Sequence, residues 1–249
     1  MGGGLSTGPV TLELSRIFKA YDIRGVVPDE LDASVARAVG SAFARFTGAP
    51  RILMGRDMRA SGAELSAAFA EGATGEGADV VDLGLISTDL AYFAAGSRDA
   101  PAAMLTASHN PARYNGIKLC LPGARPVGQD TGLRDIQAMV QETLDAGAAR
   151  SDAGPARSDA GQARSDAGPA RSDAGQARSD AGADRPASGS VSSLDLLGEF
   201  GDHVRSFVDR GVLRPLKVVA DAGNGMGGLV APEVFRGLPF DVELMYAEL

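Results

Sequence analysis

Short, largely apolar runs alternate with amphipathic segments through the first part of the chain, and this alternation restricts the fold more than any other feature. Residues 51–55, 78–86 and 101–107 are such runs, each of strand length. Residues 31–46 place apolar side chains at three- and four-residue spacing, which is typical of an amphipathic helix. Strands that are apolar throughout and separated by helices indicate a parallel sheet with helices on both faces. The sequence therefore predicts an α/β fold.

Two further helices are predicted between these strands. Ser61 and Glu64 have the spacing of a capping box, which predicts a helix that begins here and continues through Phe69. Residues 88–95 form a second, shorter helical segment. Both segments continue the alternation of helix and strand.

A seven-residue repeat interrupts this pattern. From Arg150 to Arg185 an arginine recurs every seventh residue, and the residues between are Ser, Asp, Ala, Gly, Pro and Gln. A coiled coil needs large apolar residues at two of the seven positions, and the repeat has none. Nothing in it can bury enough apolar surface to offset the entropy of ordering the chain. We expect residues 148–192 to be a disordered linker between a first domain over 16–147 and a second over 193–249.

The alternation resumes after the repeat. A helix is predicted around residues 194–208, followed by a strand at 216–222, a helix near 229–236 and a strand over 240–249. A unit of roughly 57 residues buries too small a core to be a comfortable independent domain. The sequence therefore predicts a second α/β domain that is truncated.

Charge and cysteine content exclude several classes of protein. The formal net charge is −8, whereas general nucleic-acid binding requires a basic surface. The single cysteine, Cys120, excludes an internal disulfide framework and fits a reducing compartment. No run approaches the roughly 20 apolar residues of a membrane span, and the first residues lack the apolar core of a signal peptide. We expect a cytoplasmic protein with no nucleic-acid, membrane or obligate protein partner.

The loop after the third predicted strand places a serine beside a histidine. Ser108 follows an apolar strand, and parallel sheets bind ligands at the carboxyl ends of their strands. Ser108, His109 and the later Lys118 suit phosphate chemistry, because cations stabilise charge while an oxygen attacks or leaves. The residues around Ser108 do not form the G-x-S-x-G motif of hydrolases, and consecutive residues rarely place an imidazole in line with the preceding hydroxyl. A plain turn at Ser108, with another at Asn115-Gly116, stays an open alternative.

A charged segment near the start of the chain is a second candidate. Residues 18–25, with the sequence FKAYDIRG, contain Arg24, whose planar guanidinium can hold an anion. Tyr21 in the same segment can supply a hydroxyl. The alternative is an edge strand with a solvated, charged face.

Other polar residues have structural interpretations. Arg56, Asp57 and Arg59 lie between a predicted strand and a predicted helix, which favours a local ion-pair network. His203, the second of two histidines, lies on an amphipathic helix and is predicted to be structural.

A glycine-rich turn in the second domain offers a different function. Gly223, Gly225 and Gly228 have the spacing G-x-G-x-x-G between a predicted strand and helix, which is the setting of a dinucleotide fingerprint. Glu248 lies about where the ribose-binding acid is expected. Against this interpretation, Asp221 would bring a carboxylate close to the pyrophosphate.

Four segments occur in the same order as in the α-D-phosphohexomutases: FKAYDIRG, GRDMRASG, TASHNP with YNGIK, and VVADAGNGMGG. Outside the repeat, residues 17–249 resemble the phosphomannomutase/phosphoglucomutase branch of that family. The resemblance implies that Ser108 is a phosphoserine that gives its phosphoryl group to a hexose phosphate. The bisphosphorylated sugar then reorients and returns its other phosphate, which exchanges the 1- and 6-phosphates of mannose or glucose.

The resemblance also implies roles for other residues and a fold. Arg24, His109 and Lys118 would surround the phosphoserine, stabilising charge and assisting proton transfer. Tyr21, with Arg24 and Lys118, would bind the substrate. The implied first domain is a mixed, mostly parallel sheet sandwiched by helices, and the glycine run becomes the opening turn of the second domain.

The family's Mg²⁺ site is only partly represented in the chain. In the family, Mg²⁺ is held by the phosphoserine, here Ser108, and by an aspartate-rich DGDGDR-like loop, and the sequence contains no D-G-D-G-D run. Phosphate oxygens and water are too few ligands for a dedicated site. We therefore expect Mg²⁺ in the complete enzyme, and expect this chain to be an incomplete and inactive fragment. The alternative is a non-catalytic module that binds a sugar phosphate or a dinucleotide.

Overall fold

The computed structural model describes residues 13–152 and 188–249. Its first sheet contains β1 (Ile23–Val26), β2 (Arg51–Arg56), β3 (Asp79–Leu85), β4 (Ala102–Leu105), β5 (Tyr114–Leu121), β6 (Arg125–Pro126) and β7 (Val191–Ser193). The helices packed against it are α1 (Ala33–Thr47), α2 (Gly62–Gly75), α3 (Thr88–Ser97), α4 (Leu133–Asp152) and α5 (Leu197–Ser206). Short 3-10 turns occupy Leu14–Arg16, Gln129–Thr131 and Arg210–Val212.

The first sheet is mixed and has the order β1-β5-β4-β2-β3-β7, with β6 paired to β5. Strands β4, β2, β3 and β7 run parallel to one another, whereas β5 is antiparallel to both β4 and β1. The chain between β4 and β5 is too short for the crossover that a parallel pair needs, so β5 returns antiparallel. The predicted α/β fold with a mostly parallel sheet is confirmed.

Alternate residues of the central strand β2 face two separate cores. Ile52 and Met54 pack with α1, α2 and α4 on one face of the sheet. Leu53 packs with α3 and α5 on the other face. All three side chains are at most 2% exposed. A strand buried on both faces explains why residues 52–54 are all apolar.

Helix α2 begins where predicted, but not through the predicted capping box. The Ser61 hydroxyl makes no capping bond to the helix. It accepts instead a hydrogen bond from Asn115 Nδ2 at 2.9 Å. Asn115 is fully buried, so its amide must find a partner, and this requirement outweighs the local cap.

The predicted linker 148–192 and the predicted start of the second domain at 193 both differ from the boundaries in the structure. Helix α4 continues to Asp152, and β7 begins at Val191. Val191 pairs with Val80 of β3, and the Asp79 carboxylate accepts from the Ser190 amide at 2.8 Å and its hydroxyl at 2.7 Å. The stretch before and through α5 therefore belongs to the first sheet and its core. The remaining part of the predicted linker, 153–187, lies outside the described residues.

A second, smaller sheet follows α5. Strands β8 (Leu216–Asp221) and β9 (Phe240–Met245) pair in parallel, and α6 (Gly227–Phe235) connects them. No residue of α6 is buried. Helix α5 contacts both units, because the Phe200 ring packs at a tilt against Phe93 of α3 and Arg205 donates to the carbonyl of Glu233 in α6.

Within the two described ranges, no helix combines the length and apolar character that crossing a membrane requires.

Candidate active site

Ser108 lies on the loop that follows β4, at the edge of the sheet where the parallel strands end. Its backbone is left-handed, with φ of 54°, and its side chain is exposed. The hydroxyl oxygen lies 3.0 Å from Nδ1 of His109. Consecutive residues rarely place an imidazole in line with the preceding hydroxyl, but here the two groups lie within hydrogen-bond distance. Side chains of consecutive residues diverge in extended chain, whereas the left-handed turn at Ser108 brings these two within reach.

Two buried polar side chains support the backbone of Ser108 from below. The Ser108 amide donates to the Thr106 hydroxyl at 2.9 Å, and that hydroxyl donates to Asp57 Oδ2 at 2.6 Å. Thr106 is 4% and Asp57 5% exposed. The predicted ion pair between Asp57 and Arg59 is present, with Arg59 Nε 3.2 Å from Asp57 Oδ2.

Arg59 also reaches the Ser108 loop, which the sequence analysis missed. Its Nη2 donates to the carbonyl oxygen of Ser108 at 2.7 Å. The signal in the sequence was the pair Asp57 and Arg59 directly after an apolar strand. That pattern predicts the ion pair but does not identify the loop that the arginine holds.

The two predicted cations share one carboxylate oxygen. Asp22 Oδ2 accepts from Arg24 Nη2 at 2.5 Å and from Lys118 Nζ at 2.8 Å. Arg24 Nη1 donates to Asn110 Oδ1 at 2.8 Å, which links the pair to the Ser108 loop. Asp22 is 7% exposed, and Arg24 and Lys118 are partly exposed, so both cations remain accessible from solvent. The sequence analysis did not single out Asp22.

Strand register explains why these groups meet. Arg24 of β1 lies opposite Gly116 of β5. Strand β1 is at the edge of the sheet, which agrees with the edge strand that was the alternative interpretation of residues 18–25. A Cβ at Gly116 would lie 2.4 Å from the carbonyl oxygen of Ile23 and 2.8 Å from that of Thr106. Asn115-Gly116 is therefore inside β5 and not a turn, and its glycine permits close approach of three backbone segments.

Tyr21 stands apart from this group. Its side chain is 77% exposed, and its ring lies against Gly128. Within residues 13–152 and 188–249, no hydrogen bond joins Tyr21 to Ser108, Arg24 or Lys118. Its predicted role in substrate binding stays a prediction.

The glycine-rich turn faces the Ser108 loop across a cavity of about 790 Å³, which Ser108, His109, Gly223 and Met226 help to line. Gly223 has a φ of 55°, and its amide donates to Asp221. The turn therefore lies close enough to border the same cavity as the serine.

The glycine motif has structural uses that need no nucleotide. A Cβ at Gly228 would lie 2.1 Å from the carbonyl oxygen of Ala247, so glycine allows α6 to pack closely on this backbone. Glu248 contacts the turn through its backbone, because its carbonyl oxygen accepts from Asn224 Nδ2 at 3.0 Å. The left-handed φ of Gly223 accounts for a second glycine of the motif.

The described residues do not fit a dedicated Mg²⁺ site. No group of three or more His, Cys, Asp or Glu side chains in these ranges could hold a metal ion. Asp57 and Asp89 line the cavity beside Ser108, and the Asp57 oxygens already accept from Thr106 and Arg59. The expected role of Mg²⁺, with Ser108 as a ligand through its phosphate, stays a prediction.

Two other reactive side chains have structural roles. His203 packs between the rings of Phe93 and Phe207, each with its centroid 4.8 Å away, which agrees with its predicted structural role. Cys120 is buried in the core beneath α3. Burial raises the pKa of its thiol to about 11, so it carries no thiolate at neutral pH.

Comparisons with known proteins give the family. The family model for the α/β/α domain I of phosphoglucomutase/phosphomannomutase matches residues 15–146. A phosphomannomutase from Escherichia coli is 35% identical over 87% of this chain, and a phosphoglucomutase from Neisseria gonorrhoeae is 31% identical over 94%. A solved structure of a phosphoglucomutase/phosphomannomutase family protein from Burkholderia thailandensis covers 94% of the chain, with a TM-score of 0.68 and 31% identity.

The matches cover only part of each relative. The chain spans 40% of the E. coli protein, 43% of the N. gonorrhoeae protein and 44% of the B. thailandensis chain. The family model alone covers more than half of the present chain. The chain therefore belongs to the phosphoglucomutase/phosphomannomutase family.

Proposed function

We propose that this chain carries the phosphoryl-transfer serine of a phosphohexomutase. The complete enzyme would interconvert the 1- and 6-phosphates of mannose or glucose through a phosphorylated Ser108 and a bisphosphorylated sugar. The names of the relatives, phosphomannomutase and phosphoglucomutase, support hexose phosphates as the substrate class.

The observation that carries this proposal is the position of the Ser108 hydroxyl. It is exposed, 3.0 Å from the His109 imidazole, on a loop that Arg24 contacts through Asn110. Lys118 joins Arg24 through their common partner Asp22. An accessible oxygen with a proton acceptor on one side and two cations nearby suits transfer of a dianionic phosphoryl group.

Each transfer step can be written with these groups and water. When the bisphosphorylated sugar returns a phosphate, Ser108 Oγ attacks the phosphorus and its proton passes to Nδ1 of His109. The bond from phosphorus to the sugar oxygen breaks, and that oxygen takes up a proton from water. In the forward step a sugar hydroxyl attacks phospho-Ser108 and gives its proton to water, the bond from phosphorus to Oγ breaks, and Oγ recovers its proton from Nδ1 of His109. Arg24 and Lys118 stabilise the charge that spreads over the phosphoryl oxygens.

We further propose that this polypeptide alone turns over slowly or not at all. The described residues provide the serine, the imidazole and the cations, but no cluster of carboxylates. The alternative, a module that binds sugar phosphates without catalysis, makes a different prediction: binding without transfer of phosphate to Ser108.

Retention of labelled phosphate tests the proposal. The full chain is incubated with a ³²P-labelled hexose 1,6-bisphosphate, and the label bound to protein is counted. We expect label on the wild type, none on Ser108→Ala, and an unchanged amount on Ser34→Ala, a control at an exposed serine of α1. Equal labelling of the Ser108→Ala protein would contradict the proposal. Binding of glucose 6-phosphate without any labelling would favour the non-catalytic module.

The second part of the proposal is tested by turnover. We expect conversion of glucose 1-phosphate at or near background with the wild-type chain. Turnover that is well above background and abolished by Ser108→Ala would overturn the claim that the chain alone is inactive, while supporting the role of the serine.

A further inference from the structure

All five N–H groups of the Arg59 guanidinium are used by the protein itself. Nε donates to Asp57 Oδ2 at 3.2 Å. The four remaining N–H groups donate to backbone carbonyl oxygens at 2.7–2.9 Å, those of Ser108, Asn110, Pro111 and Tyr114. Arginine has five N–H donors in a fixed planar arrangement, so none remains for a ligand. The Arg59 side chain is also 8% exposed, which leaves little of it accessible to a substrate.

The four acceptors enclose the loop that presents Ser108. They begin at Ser108 itself and end at Tyr114, the first residue of β5. Backbone carbonyls within helices and sheets accept from backbone amides, whereas these four carbonyls all accept from one side chain, and that of Pro111 accepts from the Tyr114 amide as well. Removing that side chain would leave several of these carbonyls to water and would free the loop to change conformation.

Asp57 connects the Arg59 guanidinium to the amide side of Ser108. One of its oxygens, Oδ2, accepts from both Arg59 Nε and the Thr106 hydroxyl, and Thr106 in turn accepts from the Ser108 amide. The amide and the carbonyl of Ser108 are thus both held, directly or through one intermediate, by the pair Asp57 and Arg59. A serine with a φ of 54° needs such support, because residues other than Gly, Asn and Asp rarely adopt this conformation.

We propose that Arg59 is a positioning residue for phosphoryl transfer, which rests on the proposed function of Ser108. Arg59 does not touch the substrate. It fixes the loop so that Ser108 stays left-handed and its hydroxyl stays beside Nδ1 of His109. This role differs from that of Arg24 and Lys118, the cations that remain accessible.

Lysine is the informative replacement at this position. It keeps the positive charge beside Asp57, but it has three donors at one point and cannot reach four carbonyls at once. We therefore expect Arg59→Lys to fold and to lose the alignment of Ser108 with His109. Arg37→Lys is the matched control, because Arg37 is an exposed arginine of α1 that pairs with Glu71.

Histidine NMR reads the alignment directly, since the chain has only two histidines. In ¹⁵N-histidine-labelled protein, Ser108→Ala should move the His109 Nδ1 signal by removing its neighbour. In Arg59→Lys we expect that signal to be displaced already, and Ser108→Ala to move it no further. The His203 signal should stay unchanged in every variant, and Arg37→Lys should match the wild type throughout.

The result that overturns the proposal is equally specific. In one result, the His109 signal of Arg59→Lys matches the wild type, and Ser108→Ala shifts it by the same amount in both. Arg59 then does not position Ser108 and His109. If Arg59→Lys also displaces His203, the fold has changed and Arg59→Gln decides. The Gln amide has two N–H donors, so at least two of the four carbonyls lose their Arg59 donor. An unchanged His109 signal in Arg59→Gln, with His203 in place, then refutes the proposal.

Phosphate labelling separates this inference from the proposed function. With the labelled hexose bisphosphate, we expect Ser108 to acquire label about 100-fold more slowly in Arg59→Lys than in wild type, the loss typical of a misplacement near 1 Å. Equal labelling rates in the two proteins would contradict the positioning role. If the wild type acquires no label, the proposed function fails, and the NMR experiment still tests whether Arg59 aligns Ser108 with His109.

Discussion

Strands β2 and β8 are both six residues long and both lead through a turn into a helix, yet they differ in burial. In β2, Ile52 and Leu53 are at most 1% exposed, whereas Val219 in β8 is 57% exposed. Strand β2 has a parallel neighbour on each side and helices over both faces. Within residues 13–152 and 188–249, β8 pairs with β9 alone. A strand pattern therefore predicts the element, while neighbouring elements determine its burial.

The same contrast holds for the two turns that border the cavity. The Ser108 loop is held by the buried side chains of Asp57, Thr106 and Arg59. The Gly223 turn is held by the exposed side chains of Asp221 and Asn224, in a unit without a buried core. We infer that the first unit supplies a rigid half of the site and the second a compliant one.

Truncation of a core ring should show the largest difference between the two units. Phe69 is completely buried between α1 and α2, and Phe69→Ala should cost about 3–5 kcal/mol of unfolding free energy. Phe235 in α6 is partly exposed and contacts Phe240, so Phe235→Ala should cost about 1 kcal/mol. Urea unfolding followed by circular dichroism measures both. Equal losses would contradict the contrast in burial.

Substitutions at two closely packed glycines test how far the backbone of each unit can shift to accept an added Cβ. An added Cβ would lie 2.0 Å from the Arg37 carbonyl oxygen at Gly72 and 2.1 Å from the Ala247 carbonyl oxygen at Gly228. Because α2 is locked against α1, Gly72→Ala should cost about 2–3 kcal/mol. Helix α6 has no buried residue and can shift, so Gly228→Ala should cost about 1 kcal/mol. Thermal and urea unfolding would show the reverse order if the second unit were the more rigid.

Asp22 tests the cation pair. Asp22→Asn removes the charge that Arg24 and Lys118 share, and we expect a loss of about 1–2 kcal/mol in unfolding free energy. Asp241→Asn, at an exposed position of β9, is the matched control and should stay within about 0.5 kcal/mol. A loss at Asp22 no greater than that at Asp241 would show that the shared carboxylate does not hold the two cations.

The smallest effect should be a pH dependence at the edge of the first sheet. Hydrogen bonds from the Ser190 amide and hydroxyl lower the pKa of Asp79. Its stabilising contribution is therefore complete above the ordinary carboxyl pKa of about 4 and is lost as pH falls through the lower folded value. The protection factor of the Ser190 amide, which is its exchange relative to the unfolded-chain rate at the same pH, should fall over that acidic window in wild type. In Asp79→Asn the protection factor should be lower at neutral pH and should lack this carboxyl titration. A wild-type protection factor that does not change with pH would contradict the assignment.

Much of the fold could be predicted because its signals are local. The apolar runs at β2, β3 and β4 and the helical spacing of α1 are properties of neighbouring residues, and each element formed where expected. The position of Ser108 followed from the same logic, since it is the polar residue beyond a buried strand.

Long-range contacts account for what the sequence did not reveal. Arg59 binds backbone carbonyls 49 to 55 residues away, and a carbonyl acceptor has no residue type that a pattern could recognise. Ser61 exchanged its predicted cap for the side chain of Asn115, which lies on a distant strand. Strand β7 contains two serines and one valine, so its place in the sheet depends on pairing with β3 and not on apolar character.

The central claim is that Ser108 carries the phosphoryl group, and phosphopeptide mapping of the protein purified from its own cells tests it most directly. Cleavage after arginine releases residues 99–113, in which Ser108 and Thr106 are the only hydroxyl-bearing side chains. Thr106 is buried and bonded to Asp57. We predict a phosphate-sized mass increment on this peptide, located at Ser108 by fragmentation. Phosphate found only on other peptides, or an unmodified Ser108 even after incubation with a hexose bisphosphate, would contradict the account.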